Sequence, residues 1–137
     1  MAIKKASQNK GAKFISPDTS LDKLRSLLNN HPVFCFQFLH KAFAINNCEA
    51  KERASFIERI CELSTRTWVE LQTAPHEGWG SEKIHYSAIK PTKPTHITKE
   101  TQFLSFRFPN KHRFVGYRND FVFHVIYIDT KLKVYDH

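Results

Sequence analysis

Three apolar runs stand close together late in the chain: "QFLSFRF", "RFVGYR" and "DFVFHVIYID". Each is rich in aromatic and β-branched residues. Pro109-Asn110 and Asn119-Asp120 supply the turns between them. Connections this short join antiparallel neighbours, so the three runs form a meander. Alternation then assigns faces. Leu104, Phe106 and Phe108 share one face, and Ser105 and Arg107 the other. Arg113, Val115 and Tyr117 oppose His112, Phe114 and Arg118. His124 interrupts the face of Val122, Ile126 and Ile128.

The segments before the meander read as a mixture. Residues 1–17 form a basic lead-in carrying Lys4, Lys5, Lys10 and Lys13, expected to be flexible. A single domain then spans 18–137. "SPDTSLDKLRSLL" reads as a helix capped by Asp18 or Ser20, with Leu21, Leu24 and Leu28 on one face. Pro32 ends that segment, and "VFCFQFL" (33–39) reads as a strand. Asn46 and Glu49 have capping-box spacing before a helix whose shared face is Ala50, Ala54, Ile57, Cys61 and Ser64. Thr67 and Glu70 make a second such pair. Pro75 closes that helix, and Trp68 and Leu71 are expected to pack on the sheet. A strand near 83–89 and a last short strand, "LKVY", complete the set. The expected fold class is α+β: an antiparallel sheet, a meander of about four to five strands, with helices packed on one face.

Composition narrows the function classes. Apolar residues are 41% of the chain and twelve are Phe, enough to build a core. The net charge is +8. A small basic protein meets nucleic acid, an acidic protein or a membrane surface. No apolar run approaches the roughly 18 residues of a membrane span, and the basic N-terminus lacks a secretory signal's apolar stretch. The expectation is a cytoplasmic protein with no membrane association. Cys35, Cys48 and Cys61 show no CxxC spacing, and Cys35 and Cys61 read as buried small hydrophobes in a reducing compartment. Eight His occur without HExxH or a close helical pair, so neither metal nor cofactor is expected.

The polar residues in the meander need a partner or a task. Arg107, Arg113 and Arg118 fall on adjacent strands, and Lys111 and His112 sit at one turn. With Tyr117, Tyr127 and His124 nearby they suit phosphate binding and base stacking. The competing reading is three solvated arginines, with His124 hydrogen-bonded in the core.

Two resemblances enter on these residues. The stretch "LSTRTWVELQTAPHEGWGSEKI", followed by "FLSFRF", "RFVGYRNDFVFHVIYID" and "YDH", resembles a family of small uncharacterised bacterial and mobile-element proteins over about residues 32–137. That family brings no activity. The element order, the arginines around "RFVGYR" and the terminal "YDH" are similar to the RelE/ParE superfamily of toxin–antitoxin modules. This second resemblance implies a metal-independent endoribonuclease acting on mRNA, usually on the ribosome, neutralised by an antitoxin protein. It also leaves two alternatives open: a ParE-like toxin with a protein target such as gyrase, and a non-catalytic module binding nucleic acid or protein. Some RelE-like nucleases end on a catalytic His-Tyr pair, and here the order is Tyr135 then His137. The resemblance thus implies catalytic roles for His137, Tyr135 and Arg113, with Glu82 as a candidate base just before the strand at 83–89. Arg107, Arg118, Lys111, His112, His124 and Tyr117 would hold RNA. The competing reading of "YDH" is a strand end that pins Tyr135 in the core.

Overall fold

The computed structural model describes residues 19–137. The basic lead-in over 1–17 and the Asp18 cap lie outside the described residues. The order is α1 (Thr19–Asn29), β1 (Val33–Cys35), α2 (Ala50–Ser64), α3 (Trp68–Thr73), β2 (Ser81–Ile84), β3 (Phe103–Phe108), β4 (His112–Asn119) and β5 (Val122–Asp129). Short 3-10 turns stand at Lys41–Phe43, Ile45–Asn47 and Tyr86–Ala88.

The five strands form one sheet in the order β1-β5-β4-β3-β2. The fold is α+β, as the sequence implies, but the sheet is mixed rather than wholly antiparallel. β2 through β5 pair antiparallel, while β1 runs parallel to β5, with Phe34 opposite Phe123. β1 stops at Cys35 instead of running to 39, because the chain turns there and Leu39 donates to the Phe36 carbonyl. β2 is shifted back to Ser81–Ile84. His85 then accepts a bond from Ser87 N–H at 3.1 Å and starts a 3-10 turn in place of the expected strand end. Glu82 therefore lies within β2, not before it.

Helices α2 and α3 cover one sheet face. Phe56, Ile60, Leu63, Trp68 and Leu71 pack there on Leu104, Phe106, Phe108, Phe114, Phe123 and Ile128. The expected α2 face is corrected. Ile57 is 53% exposed, Ala50, Ala54, Cys61 and Ser64 are also exposed, and the buried stripe is Phe56, Ile60 and Leu63. The larger apolar area wins the core, since burial stabilises by roughly 25 cal/mol per Å². Cys61 is accordingly exposed, and Cys35 is half-buried. The α2 start is also three residues later than the Asn46 pair implies: Glu52 accepts the Glu49 N–H at 2.8 Å. The α3 start follows its sequence signal. Thr67 Oγ1 accepts from Glu70 N–H at 3.2 Å, and the Glu70 carboxylate accepts from Thr67 N–H at 2.8 Å. Ser20 lies inside α1, and Leu21 and Leu24 are half-exposed, so that helix does not bury the face they share. Leu28 is outside the described side chains.

The other sheet face carries a second apolar cluster that, among the described residues, includes none from α1, α2 or α3. Ile89 and Ile97 from the β2–β3 connection and Val134 and Tyr135 from the C-terminal tail pack on Ile84, Phe103, Val115 and Tyr127. A bulge between Val115 and Gly116 shifts the β4–β5 register. It moves Ile128 to the helix side, opposite Phe114, while Ile126 stays on this face. The grouping of Val122, Ile126 and Ile128 is corrected by that extra residue. Gly116 is required at the bulge: a Cβ there would stand 1.9 Å from the His124 carbonyl oxygen. The two hairpin turns fall where expected, with Asn110, Lys111 and Asp120 at positive φ.

Candidate functional site

The chain end is not a strand. Leu132 turns it with a φ of 56°, and the Asp129 carboxylate accepts the backbone N–H groups of Lys133 and Val134, each at 2.9 Å. Asp129 ends β5 and is fully buried. Two successive N–H groups converge on this one carboxylate, which an extended strand does not allow. The tail therefore folds back over the face opposite α2 and α3. Lys90 N–H donates to the Val134 carbonyl at 2.8 Å, and the Lys90 ammonium pairs with the Asp136 carboxylate. Asp136 is held below the ordinary carboxylate range by that ammonium.

Tyr135 is buried, and its hydroxyl shares a 2.8 Å hydrogen bond with Ser105 Oγ on β3. His137 lies beyond it, exposed, with its ring 4.3 Å from the Tyr135 ring and tilted by 34°. Strand register brings the remaining members to the same face. Glu82 stands opposite Ser105, Arg107 opposite Arg113, and Arg113 opposite Asp129. Three adjacent pairings thus carry acid, hydroxyl, two cations and acid across four strands.

The imidazole feels these charges. Its pKa is lowered, first by partial burial and then by Arg113 and Arg107, against the pull of Asp129 and Glu82. His137 is therefore biased toward the neutral form, with two carboxylates placed to favour a proton once it arrives. Arg113 is only 7% exposed; one nitrogen donates to the Lys111 carbonyl at 2.6 Å. The Nε atoms of Arg107 and Arg113 are buried without a hydrogen-bond partner among the described residues. Orphaned buried donors are costly, and the outer part of the half-buried Arg107 fork suits an anion.

Five of the residues singled out in the sequence meet here: Glu82, Arg107, Arg113, Tyr135 and His137. Five do not. Arg118 lies on the helix face, stacked on Trp68 at 4.3 Å and bonded to the Asp120 carbonyl. The three-arginine face is corrected to two, because alternation along β4 turns Arg118 away from Arg113. His112 also faces the helices, 3.7 Å from the Glu52 carboxylate. Lys111 is exposed in the turn, where its carbonyl holds Arg113. Tyr117 and His124 share the face of Arg113 but stand at the other end of the sheet, stacked at 4.8 Å. His124 is half-buried, and its Nδ1 has no hydrogen-bond partner among the described residues.

Ser105 and Asp129 are the members that carried no functional assignment from sequence. Asp129 had a usable signal: an acid closing the apolar run "VIYID" must satisfy its charge locally. Among the described residues no group of three or more His, Cys, Asp or Glu side chains could hold a metal ion. No described helix is long and apolar enough to cross a membrane. No protein-family model, curated protein or solved structure matches the chain, so the geometry of this cluster carries the functional reading.

Proposed function

We propose that the protein is a RelE-like endoribonuclease, a toxin of a toxin–antitoxin module that cleaves mRNA without a metal. The observation that carries this reading is His137, packed against a pinned Tyr135, among Arg113, Arg107, Glu82 and Asp129. The order of one strand, a helix pair and a closing meander supports it as well.

In this reading the two guanidinium groups receive the phosphodiester. Arginine suits the task because its planar fork binds two oxygens. Neutral His137 takes the proton of the 2′-hydroxyl. The freed oxygen attacks phosphorus, and the extra charge on the phosphorane falls to Arg113 and Arg107. The bond from phosphorus to the 5′-oxygen breaks, and that oxygen takes a proton from water. Glu82 and Asp129 stabilise the imidazolium formed on the way. Glu82 thus serves as an electrostatic partner of the base. Tyr135 acts as a positioning residue, since its hydroxyl is engaged by Ser105 and its ring supports the imidazole. General base help of this kind contributes about 10²–10⁴-fold.

A second reading is favoured by the open placement of the cluster, on an exposed tail. In it the same fold is a non-catalytic module binding nucleic acid or protein, or a ParE-like toxin with a protein target. Induced expression in a bacterial host separates these readings. Growth arrest with loss of RNA integrity, both relieved by His137→Ala, supports the nuclease. Arrest with intact RNA points to a protein target. Unimpaired growth points to the binding module.

A further inference from the structure

Four rings meet on the open face, at the end of the sheet away from His137. The centroids of Phe38 and His96 are 4.4 Å apart, and those of Phe38 and His124 are 5.6 Å apart. His124 stacks on Tyr117 at 4.8 Å with planes 21° apart. His96 Nε2 and the Tyr117 hydroxyl share a 2.6 Å hydrogen bond. The rings come from four places: the chain after β1, the connection before β3, and strands β4 and β5. Three of the four rings are polar, and His96 is exposed. Beside them opens a cavity of about 470 Å³, walled by Phe38 and His96 and edged by Gln37, Lys41 and Thr95. That volume falls in the range of small-ligand pockets, roughly 300–1,000 Å³.

We propose that these rings and the adjoining cavity form a stacking subsite for one unpaired base of an RNA strand whose phosphate lies at Arg113 and Arg107. The subsite rests on the nuclease reading and adds a place where the substrate is held away from the reacting bond. Every base has a π-face, so aromatic and imidazole rings hold single strands with little regard to sequence. Gln37 and Thr95 offer hydrogen-bonding groups to a base edge, and exposed Lys41 offers a cation to a neighbouring phosphate. His124 does not line the cavity but packs against Phe38 as a neutral ring: burial lowers its pKa first, and His96 lowers it further. The spacing also fits one strand. Arg113 and Tyr117 are four residues apart on β4, about 13 Å at roughly 3.3 Å per residue. That spans about four stacked nucleotides at roughly 3.4 Å each.

The test is binding of a fluorescein-labelled single-stranded oligonucleotide, made uncleavable by 2′-deoxy sugars and moved through a series with one abasic position. Phe38→Ala and His96→Ala should each weaken binding by about 5- to 150-fold, the range for one stacked base. One abasic position should reproduce that loss in the wild-type protein and have no further effect in the variants. His96→Phe keeps a ring and should retain binding, which separates stacking from a folding defect. If both alanine variants bind like wild type while Arg107→Gln weakens, the subsite is overturned and the nuclease reading stands. If free UMP or AMP binds with the same variant dependence and the oligonucleotide does not bind, the cavity is a mononucleotide site and the strand proposal fails. If neither binds, the subsite falls together with the RNA reading.

Discussion

Asp129→Asn tests how the tail is held. The carboxylate is fully buried and accepts two backbone N–H groups, from Lys133 and Val134, at 2.9 Å each. An amide keeps the shape but has one accepting oxygen, and its NH2 faces the other N–H. One charge-assisted bond is lost, the second becomes neutral, and a buried donor is left opposite a donor. Hydrogen bonds to charged groups contribute about 1.5–3 kcal/mol, and an orphaned buried donor costs about as much. Both figures measure the same lost bond and are not added, so the expected loss is about 2–3 kcal/mol. For a domain of this size roughly 4 °C accompanies each kcal/mol, so Tm should fall by about 8–12 °C. Hydrogen exchange should locate the effect, with Lys133 and Val134 amides losing protection before the strand amides do. Activity should fall as well, since the tail carries His137. Asp136→Asn is the control: an exposed ion pair with Lys90 contributes little, and Tm should hold. An Asp129→Asn protein with unchanged Tm and unchanged protection at Val134 would refute the idea that Asp129 latches the tail.

Tyr135→Phe removes the bond to Ser105 and leaves that hydroxyl buried, so stability should drop by about 1–2 kcal/mol while most activity survives; a severe activity loss at unchanged Tm would show that the hydroxyl meets substrate. The pH–rate profile should keep its activity well into mild acid. A lowered His137 pKa leaves the base neutral above the folded-state value, and activity is lost only as pH falls through a midpoint below 6.5. The same sign makes its small contribution to stability present above 6.5 and lost below. A midpoint above 6.5 would contradict the placement beside Arg113. RNA affinity should fall with salt, with a log–log slope near −0.7 per phosphate contacted, and Arg107→Gln should flatten the slope by about that amount. Arg118→Gln, on the opposite face, should leave it unchanged.

The meander was legible because three alternating runs with two-residue turn signals admit one pairing. The Thr67–Glu70 cap was legible for a similar reason: both bonds are local. What the sequence hid was decided between distant segments. The parallel edge at β1 depends on which strand it meets, and nothing in "VFC" encodes that. The α2 face went to Phe56, Ile60 and Leu63 because the sheet below selects bulk, whereas the spacing of Ala54 and Ile57 fits a helix equally well. Alternation correctly put Arg107 and Arg113 apart from the helix-facing phenylalanines. It also separates Arg118 from Arg113, a signal that strand adjacency alone ignores. The bulge at Gly116 hid the turn-over of Ile128. The tail reads as a strand because "LKVY" has strand character. Two backbone bonds to Asp129, beyond the reach of any periodicity, folded it across the sheet instead and brought His137 over Glu82 and the arginines.

The proposed role of His137, withdrawing a 2′-hydroxyl proton at a metal-free site on the open face, is tested most directly by cleavage of a single-stranded RNA by the purified protein in excess EDTA. The assay compares wild type, His137→Ala, and an RNA carrying one 2′-deoxy sugar at the cut position. The wild-type protein should cleave, leave 2′,3′-cyclic phosphate ends, and make no cut at the deoxy position. His137→Ala should cut about 10²–10⁴-fold more slowly, with Tm unchanged within a degree or two. Cleavage at the deoxy position, a full rate from His137→Ala, or no cleavage by the wild-type protein would contradict that role.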